Sequence, residues 1–122
     1  MDVKELQQRL ARFASERDWD QFHTPKNLAM ALAGEAGELL EIFQWLTPEE
    51  SELGNISPEQ LAEVSEEIAD IVLYTLRLCD KLQIDVNAAL IQKIEVNARK
   101  YPVALARGNA IKYNKREPES ER

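Results

Sequence analysis

Leu28-Ala29-Met30-Ala31-Leu32-Ala33-Gly34-Glu35-Ala36-Gly37-Glu38-Leu39-Leu40 is apolar at nearly every position but two, and both exceptions are glutamates. Period-2 alternation is absent, so the stretch reads as a helix that is hydrophobic around most of its circumference, and such helices are usually buried. Thr24 and Pro25 lie just upstream. A threonine supplies an N-cap oxygen, and a proline at the first helical position loses no hydrogen bond. This second helix is therefore expected from Pro25 to about Trp45.

The same punctuation recurs on either side. Asp2 can cap a first helix to about Arg17, with Val3, Leu6, Leu10 and Phe13 as its apolar stripe. Ser57-Pro58 opens a third helix to about Leu82, after a polar loop over Leu46–Ile56 that contains Pro48 and Gly54. Asp85 caps a fourth helix, from Val86 to about Lys100, which Pro102 stops. The expected fold is all-α: a four-helix-bundle-like single domain over residues 1–113, followed by a polar tail, 114–122, expected to be disordered.

Composition narrows the function. The 122 residues are 44% hydrophobic and 30% charged, with a formal net charge of −7. An acidic chain is poorly suited to coating a nucleic-acid backbone or an anionic membrane, so neither partner is expected. The longest nonpolar stretch, Leu28–Gly34, has seven residues, against roughly 20 for a bilayer span. No basic leader precedes an apolar segment, so no signal peptide is expected. Cys79 is the only cysteine, which fits a reducing cytoplasm.

Two acidic pairs carry the chemistry. Glu35 and Glu38 are three apart on the second helix, and Glu67 and Asp70 three apart on the third. Residues at that spacing share a helix face, so each pair repels itself. A carboxylate in an apolar helix is costly unless it is paired or binds a metal. If the two helices are antiparallel neighbours, the pairs can face each other. Four oxygen donors without histidine or cysteine suit Mg²⁺ or Mn²⁺; a di-iron centre needs Glu-x-x-His pairs, and His23 belongs to neither pair. Solvated helix charges, or ion pairs with Lys26, Arg77 or Lys93, are the plainer alternative. The third helix has its main apolar stripe (Leu61, Val64, Ile68, Ile71, Val72, Thr75, Cys79, Leu82) pointing away from its acids, which permits an ordinary wet face.

Trp19, Phe22, His23, Trp45 and Tyr74 are most of the large rings. Aromatic faces stack on nucleobases, although Trp19 and Phe22 can equally staple a loop to the core. Trp45 lies about two turns beyond Glu38, so a ring and a metal site can share a cleft. Lys93, Asn97 and Tyr101 form one polar stripe on the fourth helix, as consistent with phosphate contacts as with a solvent face. Residues 99–116 hold basic side chains and no acid, which can neutralise a polyphosphate or offset the acidic body of a neighbouring subunit.

Gly34-Glu35-Ala36-Gly37-Glu38-Leu39 with Glu66-Glu67-Ile68-Ala69-Asp70-Ile71 resembles the Glu-x-x-Glu…Glu-x-x-Asp signature of the MazG-like all-α nucleoside triphosphate pyrophosphohydrolases. Glu16–His23, Phe43-Gln44-Trp45, Asn97–Pro102 and Leu105–Gly108 resemble the dCTP pyrophosphatase branch of that family, and the likeness runs from about Lys4 to Tyr113. The resemblance implies that Glu35, Glu38, Glu67 and Asp70 bind Mg²⁺, with Mn²⁺ as a substitute. It implies that Trp19, Asp20, Gln21, Phe22, His23, Trp45 and Tyr74 line the nucleotide site, and that Lys93 and Asn97 approach the phosphates. It further implies cleavage of dCTP or a related dNTP between the α and β phosphates, in service of nucleotide-pool cleansing, by a homotetramer built as a dimer of dimers. The Leu46–Ile56 loop matches the branch in length and polarity more than in residues. The N-terminal extension of the animal members is missing, and a bacterial source is expected.

A triphosphate meeting so many acids needs a divalent metal between them. Glu38, beside Glu35, is expected to orient or deprotonate the attacking water. Two other expectations stay open at this point: a pyrophosphatase of the same fold preferring dUTP or a modified nucleotide, and a non-catalytic helical module that binds nucleotide or mediates oligomerisation. An oligomer is expected from the residues as well, because the second helix is apolar on more sides than a monomer of this size covers.

Overall fold

A computed structural model describes residues 2–116 of the chain. Those residues are helical, with turns and loops and no strand. The helices are α1 (Val3–Glu16), α2 (Pro25–Phe43), α3 (Pro58–Lys81), α4 (Val86–Lys100) and a single-turn α5 (Val103–Ala106). Short 3-10 turns occupy Asp20–Phe22 and Tyr113–Lys115. α5 is the addition to the four helices expected. The remainder of the expected tail, residues 117–122, lies outside the described residues.

Each helix start follows from a cap. Asp2, Thr24, Ser57 and Asp85 accept from the backbone N–H three residues on, at 2.8, 3.2, 3.1 and 3.0 Å. At Ser57 the Gln60 side chain also accepts from the Ser57 N–H at 3.2 Å, completing a capping box. α1 and α3 end without glycine, on Asp18 (φ 54°) and Gln83 (φ 55°). Trp19 N–H donates to the Ala14 carbonyl at 2.8 Å, and Ile84 N–H to the Cys79 carbonyl at 2.9 Å. These bonds satisfy carbonyls that the helix ends leave open.

The chain's contacts group into two compact units that divide between Ile84 and Asp85. In the first, α2 packs along α3, and α1 lies against α3, with the Gln7 amide donating to the Leu76 carbonyl at 3.0 Å. Ala14, Leu28, Leu76 and Cys79 form its buried centre, Leu28 being 1% exposed. Burying one such leucine is worth about 1.5–3 kcal/mol. In the second, Tyr101 and Tyr113 meet edge to face at 6.2 Å. Lys100 and Arg116 lie over those rings, which gives part of the basic segment a local role. Among the described residues no helix is long and apolar enough to cross a membrane.

The apolar stripe of α3 is covered only in part. Leu61, Ile68 and Val72 are exposed, Ile68 by 48%, whereas Glu67 is half-buried and Arg77 buried. The covered side of α3 also carries charge, and the expected row is split, with Val64, Ile71 and Thr75 half-buried and Cys79 buried but Leu61, Ile68, Val72 and Leu82 open.

Candidate functional site

α2 and α3 pair in opposite directions. Glu41 and Ile42, near the connecting loop, line one small cavity with Glu63, whereas Glu35, further from the loop, meets Glu67. This brings one carboxylate oxygen each from Glu35, Glu38 and Glu67 within 4.8 Å of one another. Glu38 is exposed, and Glu35 and Glu67 are half-buried. Oε2 of Glu35 and Oε2 of Glu67 are shielded from solvent and have no hydrogen-bond donor. Two facing carboxylates without a protein donor are relieved by a shared proton, a bridging water or a cation.

The acidities show the strain. Glu35 is raised above the ordinary carboxylate value, first by the Glu67 carboxyl facing it and then by partial desolvation. Glu38 is raised by Glu35, through both contact and charge. For Glu67 the close approach of the Glu35 carboxyl pulls downward, but desolvation and the nearby Glu38 and Asp70 carboxylates outweigh it, and the net direction is up. Arg77, one of the cations considered above, pairs instead with Asp20 and Asp80. Three oxygen donors, with no nitrogen or sulfur among them, fit a divalent metal of the hard, oxygen-binding kind.

Asp70 stands outside that trio. It lines a larger cavity of about 490 Å³, and its charge acts on both Glu35 and Glu67, so the cavity and the acidic cluster are neighbours. Leu6, Leu10 and Phe13 of α1 form one wall, Leu73, Tyr74 and Arg77 of α3 another, and Trp19 and His23 come from the connection between α1 and α2. Phe13 and Trp19 meet edge to face at 5.7 Å.

Of the residues expected around a nucleotide, Trp19, His23 and Tyr74 line this cavity. Asp20 accepts from Arg77 and Lys81, both at 2.6 Å, and its carboxyl is held below the ordinary value chiefly by the Lys81 hydrogen bond. Gln21 donates to the carbonyl and the carboxylate of Asp18. Phe22 is exposed, and its carbonyl receives the Asn27 amide. Trp45 follows the end of α2, is 86% exposed and lines neither cavity. Lys93 and Asn97 lie on α4, in the second unit. Arg77 was absent from the expected set. Two of its partners, His23 and Asp20, lie more than fifty residues away in the chain, and the local signs were a cation in a largely apolar turn and Asp80 three residues on.

The fold and site define an all-helical protein that gathers carboxylates from two paired helices into an acidic cluster able to hold a metal ion, beside an aromatic-lined cavity. The chain belongs to the MazG-like family, whose pattern matches residues 31–115. It is 46% identical over 112 residues to the dCTP pyrophosphatase 1 of Bos taurus and 43% identical to that of Homo sapiens, in each case over 92% of this chain and 64% of the relative. The chain thus spans somewhat under two thirds of the length of these relatives. A pyrophosphatase from Archaeoglobus fulgidus has a similar structure, with TM-score 0.75 and 44% identity over 81% of this chain and 91% of that one.

Proposed function

We propose that the protein is a Mg²⁺-dependent nucleotide pyrophosphohydrolase that converts dCTP and water to dCMP and pyrophosphate. One observation carries the reading: the two shielded, donor-less oxygens of Glu35 and Glu67, with Glu38 beside them, adjoin a cavity walled by Trp19 and Tyr74. The named activity of the similar bovine and human proteins supports the choice of dCTP. When bound by Glu35, Glu38, Glu67 and Asp70, Mg²⁺ (or Mn²⁺) supplies the positive charge that lets a triphosphate approach these acids.

The chain's own residues do the rest. Glu38, the most open of the trio, orients a water toward the α-phosphorus and takes its proton, with Glu35 beside it. The bond between the α-phosphorus and the α–β bridging oxygen breaks, and pyrophosphate leaves. Trp19 and Tyr74 enclose the base with His23, and Trp45, outside the cavity of the single chain, stacks on it from the open side, while Asp20, Gln21 and Phe22 shape that edge of the site and Lys93 and Asn97 approach the phosphates. The working form is a homotetramer, a dimer of dimers. Its support is the open apolar surface of the single chain: Leu61, Ile68 and Val72 on α3, and Leu90, Ile91 and Ile94 on α4. A cytoplasmic setting accords with the single cysteine, Cys79.

The deciding experiment measures pyrophosphate release from a panel of nucleoside triphosphates with Mg²⁺ and with EDTA. Release from dCTP that EDTA abolishes is the expected result. Preference for dUTP or a modified nucleotide reassigns the substrate, and binding without release leaves a non-catalytic module. Light scattering after gel filtration tests the assembly, and a clean monomer refutes it.

A further inference from the structure

We propose that buried Arg77 is a positioning residue that locks His23 in one neutral tautomer, so that the ring offers the large cavity an Nε2–H donor and no acceptor. Arg77 is on α3, with its side chain 7% exposed. Its Nε donates to His23 Nδ1 at 3.1 Å. One terminal nitrogen donates to Asp20 at 2.6 Å and the other lies 3.4 Å from Asp80. Lys81 donates to the same Asp20 oxygen at 2.6 Å.

A guanidinium has five N–H donors, no acceptor, and no accessible neutral form. A nitrogen facing it at hydrogen-bond distance must therefore present a lone pair. For His23 that nitrogen is Nδ1, so the ring proton resides on Nε2. Protonating the ring fully would set an N–H against the Arg77 N–H. The acidity agrees: burial first, then the charges of Arg77 and Lys81, hold His23 below the ordinary histidine value, against a smaller pull from Asp20. Flipping the ring would leave a buried Arg77 N–H without a partner, and Arg77 cannot follow, because Asp20 and Asp80 hold the other ends of its fork. Rotamer and tautomer are thus set together.

His23 and Arg77 both line the cavity that Trp19 and Tyr74 wall. A fixed ring donor there favours a base with an acceptor on the facing edge, as cytosine has at N3 where uracil and thymine carry an N–H. This ligand assignment rests on the pyrophosphohydrolase reading above; the tautomer does not.

His23 is the only histidine, so nitrogen-15 NMR of the full chain reads it without ambiguity. The expected spectrum near neutral pH shows Nδ1 unprotonated and Nε2 protonated. In Arg77→Met, folded by circular dichroism, the tautomers mix, KM for dCTP rises about tenfold with kcat little changed, and discrimination of dCTP against dUTP falls by a similar factor. Arg77→Lys, which keeps a donor, recovers part of the KM. An Nδ1–H or doubly protonated ring in the wild type overturns the proposal whether or not the variants fold. An Arg77→Met protein with unchanged KM and unchanged base preference overturns it too. Wild-type protein that cleaves no nucleotide defeats the activity reading alone and leaves the tautomer to be read from the spectrum.

Discussion

Adding Mg²⁺ to the metal-free protein is expected to raise its melting temperature, and Glu67→Gln is expected to remove that response while making the metal-free protein more stable. The two effects have one origin. Glu35, Glu38 and Glu67 each place an oxygen within 4.8 Å of the others, and without a cation all three carboxyls are held above their ordinary value. An acid whose folded pKa is raised contributes its full stability below the unfolded value and loses it as pH rises through the folded value. Metal-free protein should therefore lose stability as pH climbs from 4.5, the ordinary glutamate value, toward neutrality. Glutamine at position 67 removes one charge and gives the Glu35 oxygen a donor, so its metal-free melting point should go up. A cation that binds only the folded chain adds about 2.7 kcal/mol at one hundred times its dissociation constant. For a chain of this length that is a rise on the order of 10 °C. Scanning calorimetry near neutral pH, with EDTA, Mg²⁺ or Mn²⁺, gives all the numbers needed. A wild type indifferent to both ions refutes the cation site, and a Glu67→Gln protein less stable than wild type in EDTA refutes the repulsion.

Glu38→Gln should abolish pyrophosphate release while calorimetric titration still detects nucleotide binding; unchanged turnover removes Glu38 from its proposed role. Trp45→Ala should raise KM for dCTP with kcat nearly intact, whereas a large fall in kcat at constant KM counts against base stacking. Ser57→Ala deletes the oxygen that opens α3 and should cost about 1 kcal/mol in urea unfolding; a loss below a few tenths would show the capping box to be energetically idle.

The helix starts were legible because each is written within four residues. Asp2, Thr24, Ser57 and Asp85 cap where expected. The ends were less so: α2 stops at Phe43 rather than near Trp45, with no glycine or proline to mark the place. The acidic spacing pointed to Glu35, Glu38 and Glu67, but periodicity cannot say which neighbour covers a stripe. On α3 the row expected to face inward is split: Val64, Ile71, Thr75 and Cys79 are covered, Leu61, Ile68, Val72 and Leu82 are open, and Glu67 and Tyr74 are half-buried as well. The link from Arg77 to His23 joins positions 54 apart, and no local pattern encodes it.

The left-handed turn at Asp18 has a use of its own. Because main-chain bonds from Asp18 and Trp19 to the last turn of α1 set the course of the chain there, the indole at position 19 is hung on a bracket that does not depend on the indole itself. Swapping that ring for another leaves the bracket standing. The wall of the cavity is therefore interchangeable, a natural handle for retuning what the cavity admits without redesigning the scaffold around it.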